Sequence, residues 1–193
     1  MAESKKKETV FISNDDQYLF GMGLHYDIYK KLGAHPCTKS GKKGTFFAVW
    51  APNALRVSVV GDFNGWDQGA NPMSRIDPLG IWELFVPGLE DGQLYKYYIV
   101  GSNGQSLYKA DPYANYAELR PGNASIVYDI TKIKFTDDKW MENRAKQNLH
   151  SSPMAIYECH IGSWMRHPQP DAEGFYNYRL FAKRLLEYLK EMK

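Results

Sequence analysis

From Thr45 to Ile130 the chain offers short segments of strand character and no helical repeat between them. The segments are Thr45–Ala51, Leu55–Val60, Ile81–Val86, Leu94–Val100, Ser106–Lys109 and Ser125–Ile130. Turn-forming residues divide them: Pro52-Asn53, Asn64-Gly65, Pro78 to Gly80, Glu90 to Gly92, Asn103-Gly104 and Pro121-Gly122. Glycine and asparagine tolerate the left-handed backbone that tight turns need, and proline fixes φ for turn entry. Parallel strands need long helical crossovers, and there is no room for them here. The pattern therefore predicts a mainly β fold, an antiparallel immunoglobulin-like sandwich of about 100 residues. Alternation supports it: Leu55, Val57 and Val59 fall on one face, with Arg56 and Ser58 on the other. In the fourth segment Tyr95, Tyr97 and Ile99 share a face, so Lys96 points away from the core.

The flanks read differently. Residues 15–33 suit a short helical segment, with Leu24, Ile28 and Leu32 on a repeat and Gly33 as its stop. His35–Gly44 reads as a polar loop. Residues 131–152 are polar and charged and serve as a linker, with a helix start or turn at Asp137-Asp138. The acid pair there is solvated. Ala155–Ile161 is largely apolar, as a strand buried on both faces would be. After a proline-containing loop, Arg166–Gly174, the residues Tyr178, Phe181, Leu185, Tyr188 and Met192 form one helical stripe. Lys183 and Glu187 pair at i and i+4 on a more polar side. A βα unit is expected here. The resulting division is residues 1–34 helical, 35–131 sandwich, 132–152 linker and 153–193 βα unit.

Composition narrows the partners. The 24 basic and 22 acidic residues leave a net charge of +2, too little to neutralise a phosphate backbone, so no nucleic-acid partner is expected. No apolar run reaches the length of a membrane span, and MAESKKKETV lacks the apolar stretch of a signal peptide. Lys5–Lys7 reads as a solvated end. Cys37 and Cys159 are the only cysteines and stand far apart, without metal-ligand spacing. The expectation is no metal, no cofactor and a reducing, cytoplasmic setting. Aromatic residues are abundant at 15% of the chain, with 14 tyrosines, which suits both β structure and aromatic binding faces.

The hexapeptide Gly61–Trp66, GDFNGW, ends a strand on a Gly/Asn turn and presents a tryptophan there. Such a ring can stack on the C–H face of a sugar or on a partner's apolar side chain. Around it, FFAVWAPNALRVSVVGDFNGWD (Phe46–Asp67), GIWELFVPGL (Gly80–Leu89), YKYYI (Tyr95–Ile99) and KADPYA (Lys109–Ala114) resemble successive parts of a family 48 carbohydrate-binding module. SPMAIYECHIGSW (Ser152–Trp164), followed by YNYRLFAKRLLEYLKEMK (Tyr176–Lys193), resembles the start of a family 13 glycoside-hydrolase barrel. The order of these parts is similar to that of the 1,4-α-glucan branching enzymes of glycogen synthesis, from about residue 18 to residue 193.

By that resemblance the carbohydrate-binding residues are Trp66, stacking on glucose, with Lys96 and Asn123 bonding its hydroxyls. The family's glucan-binding members often place a second tryptophan after the YKYYI strand. This chain has Gln105-Ser106-Leu107-Tyr108, and Tyr108 is the substitute. Trp82, alternating with Leu84 and Val86, belongs to the core. A glycosidase site needs two carboxylates about the scissile bond. In family 13 these come from later barrel strands. No catalytic residue is therefore expected here: Glu158 is a strand-end polar residue and His160 a barrel-wall histidine. The resemblance implies the glucan-binding and scaffold portion of a branching enzyme, inactive alone, with α-glucan as partner and no membrane. Self-association through the truncated βα unit is also expected. The alternatives are a noncatalytic glycan-binding regulatory module, or part of an α-1,6 debranching hydrolase.

Overall fold

The computed structural model describes residues 11–76, 78–148, 151–166 and 174–192. The lysine cluster Lys5–Lys7 and most of the loop 166–174 lie outside the described residues. The chain divides into two compact units, one through Lys134 and one from Phe135.

The first unit is an antiparallel sandwich. One sheet holds β1 (Gly33–Lys39), β2 (Lys42–Trp50), β4 (Ser74–Arg75) and β5 (Ile81–Pro87), in the order β1-β2-β5-β4. The other holds β3 (Ala54–Gly61), β6 (Leu94–Gly101), β8 (Tyr116–Ala117) and β9 (Ser125–Ile126), in the order β3-β6-β9-β8, with β7 (Ser106–Lys109) on β6. The inner faces interdigitate. Phe47, Val49 and Trp82 from the first sheet meet Val57, Val59, Tyr95 and Tyr97 from the second, all buried. Trp82 sits in this core with its indole N–H donating to the Ala51 carbonyl at 3.0 Å.

The four-stranded sheet is covered on its outer face too. Phe46, Ala48 and Ile81 pack there with Ile12 and Leu32, flanked by Phe11, Phe20 and Ile28. That cover is the N-terminal segment. Its helix α1 (Asn14–Gly21) starts at a capping box in which Ser13 and Asp16 satisfy each other's free N–H groups.

Several expectations are corrected. His35–Gly44 is not a loop but β1 and its hairpin to β2. Ser40 and Gly41, with φ of 48° and 79°, make the two-residue turn that matches strand twist. Pro36 is accommodated because β1 is an edge strand. The helical repeat through Leu24 also fails: α1 ends at Gly21, Leu24 is exposed, and Gly33 opens β1. Leu55 is 66% exposed rather than inward, because the register slips between Ala54 and Arg56 and puts Ala54 in the core.

The second unit contains α2 (Asp138–Lys146), α3 (Ile161–Trp164) and α4 (Tyr178–Met192). Ala155–Ile161 forms no strand. An isolated segment has no neighbour to satisfy its backbone ladder, so strand character has nothing to act on. The helix expected there forms, but only the middle of its stripe is covered, since Tyr178 and Met192 are exposed. Phe181 is buried, and Trp164 packs edge-on against Phe181 and Tyr188 at 5.3 and 5.6 Å. Trp164 also donates its indole N–H to the Tyr157 hydroxyl at 2.6 Å.

Candidate functional site

The GDFNGW turn is built to hold its tryptophan. Gly61 is required by close approach, since a Cβ there would meet the Leu94 carbonyl and the Phe63 ring. A 3-10 turn, Asp62–Asn64, follows. The Asn64 side chain accepts from the Gly61 N–H at 3.0 Å and donates to the Val59 carbonyl at 3.0 Å and Asn71 at 2.7 Å. Gly65 and then Trp66 itself are left-handed, with φ of 62° and 61°. A tryptophan in that region costs about 1–2 kcal/mol against the ordinary helical one. It is held by its own N–H to the Gly61 carbonyl at 2.9 Å and by its indole N–H to Asp62 at 2.8 Å. With the indole N–H engaged, the ring face is what the turn can offer. The chain then returns along the free edge of β3, with Val59 N–H bonded to Asn71 and Met73 N–H bonded to Val57.

The other residues named from the sequence lie on the outer face of the same five-stranded sheet. Tyr95 and Tyr97 point into the core, so Lys96 and Tyr98 point out. Lys96 is the register partner of Val60, one residue before Gly61. Its ammonium donates to the Asn123 side-chain oxygen. The Asn123 loop is closed from behind by Glu118, which accepts the Ala124 N–H at 3.0 Å. Tyr108, on β7, stands opposite Tyr98, and their rings lie 5.3 Å apart. Tyr98 is 7% exposed and Tyr108 48%, so Tyr98 backs the outer ring.

Gln68 was not singled out by any motif. Its amide donates to the Tyr108 hydroxyl at 2.7 Å across 40 residues, tying the Trp66 loop to β7. The proximity of Lys96 and Asn123 was implied by the resemblance alone, because nothing local in the sequence joins residues 27 apart.

KADPYA contributes structure rather than a binding surface. The Asp111 carboxylate is buried and accepts from the Tyr95 hydroxyl at 2.6 Å, the Tyr97 hydroxyl at 3.2 Å and the Tyr113 N–H at 2.8 Å. Burial raises its pKa above the ordinary value, against those hydrogen bonds, which lower it. Burial likewise raises both tyrosines. In the second unit Glu158 and His160 are exposed, and His160 Nδ1 lies 3.0 Å from the Ser163 hydroxyl. Cys37 and Cys159 are free thiols, and burial pushes Cys37 up. No cluster of metal-ligating residues occurs among the described residues. Among them, no helix is long and apolar enough to cross a membrane.

Residues 31–114 match the family of carbohydrate-binding module 48, the isoamylase N-terminal domain. The 1,4-alpha-glucan branching enzyme GlgB of Butyrivibrio fibrisolvens is 61% identical over 186 residues, covering 96% of this chain and 29% of that protein. The enzyme of the same name from Rhodospirillum rubrum is 49% identical over 178 residues, covering 92% of this chain and 24% of that one. A solved pullulanase from Bacillus acidopullulyticus is 24% identical with a TM-score of 0.46, covering 56% of this chain and 13% of its own. The chain spans less than a third of the length of the curated relatives it matches. Over nearly its whole length the chain is similar to the 1,4-alpha-glucan branching enzymes, and residues 31–114 match carbohydrate-binding module 48.

Proposed function

We propose that this chain binds α-glucan on the outer face of its five-stranded sheet and supports a polypeptide that makes α-1,6 branches by glucan chain transfer. Trp66 is the stacking ring, Lys96 and Asn123 bond sugar hydroxyls, and Tyr108 is a second platform. The observation that carries this reading is Trp66 itself. A non-glycine residue held at positive φ, with its indole N–H already engaged, is a strained feature that packing alone does not call for. Affinity is weak, since a few exposed contacts must offset the ordering of a flexible sugar chain. Calorimetric titration of maltoheptaose tests it: Trp66→Ala weakens binding at least tenfold. Unchanged affinity in that variant removes Trp66 from the site.

The parent reaction cleaves an α-1,4 bond, holds the glucan as a glycosyl-enzyme ester and passes it to a 6-hydroxyl. This chain by itself is inactive on that reading. Its buried carboxylate, Asp111, is occupied by two tyrosines, and Glu158 lies in exposed coil. Amylose incubated with it keeps its iodine absorbance and chain-length profile; turnover that survives repurification would refute this. Branching is favoured over debranching and over a purely regulatory module by the branching enzymes at 61% and 49% identity. The two free thiols fit a reducing, cytoplasmic setting. Exposed Leu186, Leu189 and Met192 on α4 support self-association, which sedimentation velocity reads directly; a monomer at millimolar concentration would exclude it.

A further inference from the structure

We propose that the glucan path runs on past Lys96 and Asn123 to a second aromatic platform, the Tyr116–Tyr128 pair, so that the face discriminates by chain length. The proposal rests on the glucan reading of Trp66. Strand register places the pair. Tyr95 points inward and pairs with Ser125, so Leu94 and its partner Ile126 point outward. Tyr116 pairs with Ile126 and therefore shares that outward face. Tyr128, two residues after Ile126, falls on it too, and its ring lies 5.3 Å from that of Tyr116 at 47°. Tyr116 is 53% exposed on β8, the edge strand.

From Lys96 to Tyr116 is two residues along β6 and two strands across, about 12 Å between Cα atoms by strand geometry. Half-buried Leu94 and Ile126 lie between. One face thus carries an aromatic turn and Tyr108 at one end, a hydroxyl-bonding pair in the middle, and an aromatic pair at the other end. The first end and the middle suit a short oligosaccharide. A longer chain lying on the same strands reaches the tyrosines. A sugar chain is the occupant this arrangement fits, because exposed and half-buried rings flank groups that bond hydroxyls. Tyr116, Asn123 and Tyr128 all lie outside the matched region 31–114.

Titration of the whole chain with maltotriose and with maltodecaose tests the path. Tyr116→Ala is expected to weaken maltodecaose about threefold to tenfold, the scale of one aromatic contact, and to leave maltotriose unchanged. Tyr116→Phe, which keeps the ring, retains wild-type affinity for both. Retained maltotriose binding shows that the variant is folded. Equal losses for both sugars, or no loss for either while Trp66→Ala weakens both, would overturn the second platform alone. If Trp66→Ala changes neither sugar, the glucan reading beneath it has failed.

Discussion

At the scale of single residues, Asp111 shows how much one buried carboxylate can organise. Two phenols and a backbone N–H converge on it, while its own N–H donates to the Ser125 hydroxyl at 2.8 Å. That joins β6, β9 and the segment between β7 and β8. Asp111→Ala leaves the buried Tyr95 hydroxyl short of an acceptor and the Tyr97 hydroxyl with the Ala48 carbonyl at 3.3 Å, and is expected to cost about 2–5 kcal/mol in urea denaturation. Asp111→Asn retains an acceptor and costs less. Equal losses in the two variants would show that volume, not hydrogen bonding, matters there. The KADPYA motif was legible, but its role was not, because burial of Asp111 depends on strands far apart in sequence. Trp66 is the reverse case. Its presentation on a turn was legible from Gly65 and Asn64. Its own left-handed backbone was not, since tryptophan carries no such preference.

At the scale of elements, the N-terminal segment depends on ionic contacts. Asp16 lies 2.8 Å from His25 Nε2 and 2.9 Å from Lys31 Nζ, and caps α1 through Ser13. Burial acts to raise its pKa, but the Ser13 N–H, His25, Lys31 and the Ser13 hydroxyl outweigh it and hold the carboxyl well below its ordinary 3.8. The unfolded chain therefore binds more protons than the folded one between those two values. Asp16's contribution to stability is complete above pH 3.8 and drains away as the pH falls toward the folded value. Chemical denaturation between pH 5 and 2 should show wild-type stability falling more steeply than that of Asp16→Asn. Parallel curves would mean that the contacts add nothing.

The period through Leu24, Ile28 and Leu32 drew the helix too far, and the Ser13–Asp16 cap that opens it emerges only in the structure. Gly23, at φ of 70°, stops that continuation. The β1–β2 hairpin was missed for a different reason. Its strand is an edge strand containing proline, so it lacks the apolar alternation of its neighbours.

At the scale of the molecule, the sandwich was legible because its information is local: short alternating segments and turns. Ala155–Ile161 was read as a strand from composition, but composition supplies no pairing partner. It folds instead as coil leading to α3, with Trp164 and Tyr157 gathered on α4. The proposed binding face falls between these cases. Trp66, Lys96, Asn123 and Tyr108 were named by resemblance, and the folded loops then placed Asn123 beside Lys96 and Gln68 beside Tyr108. Nuclear magnetic resonance of the 15N-labelled chain titrated with maltoheptaose tests the glucan-binding claim most directly. The account predicts shifts concentrated at the Trp66 indole, Lys96, Tyr108 and the Asn123 loop, with the outer face of the four-stranded sheet unchanged. Shifts centred on that other sheet, or none at saturating sugar, would contradict it.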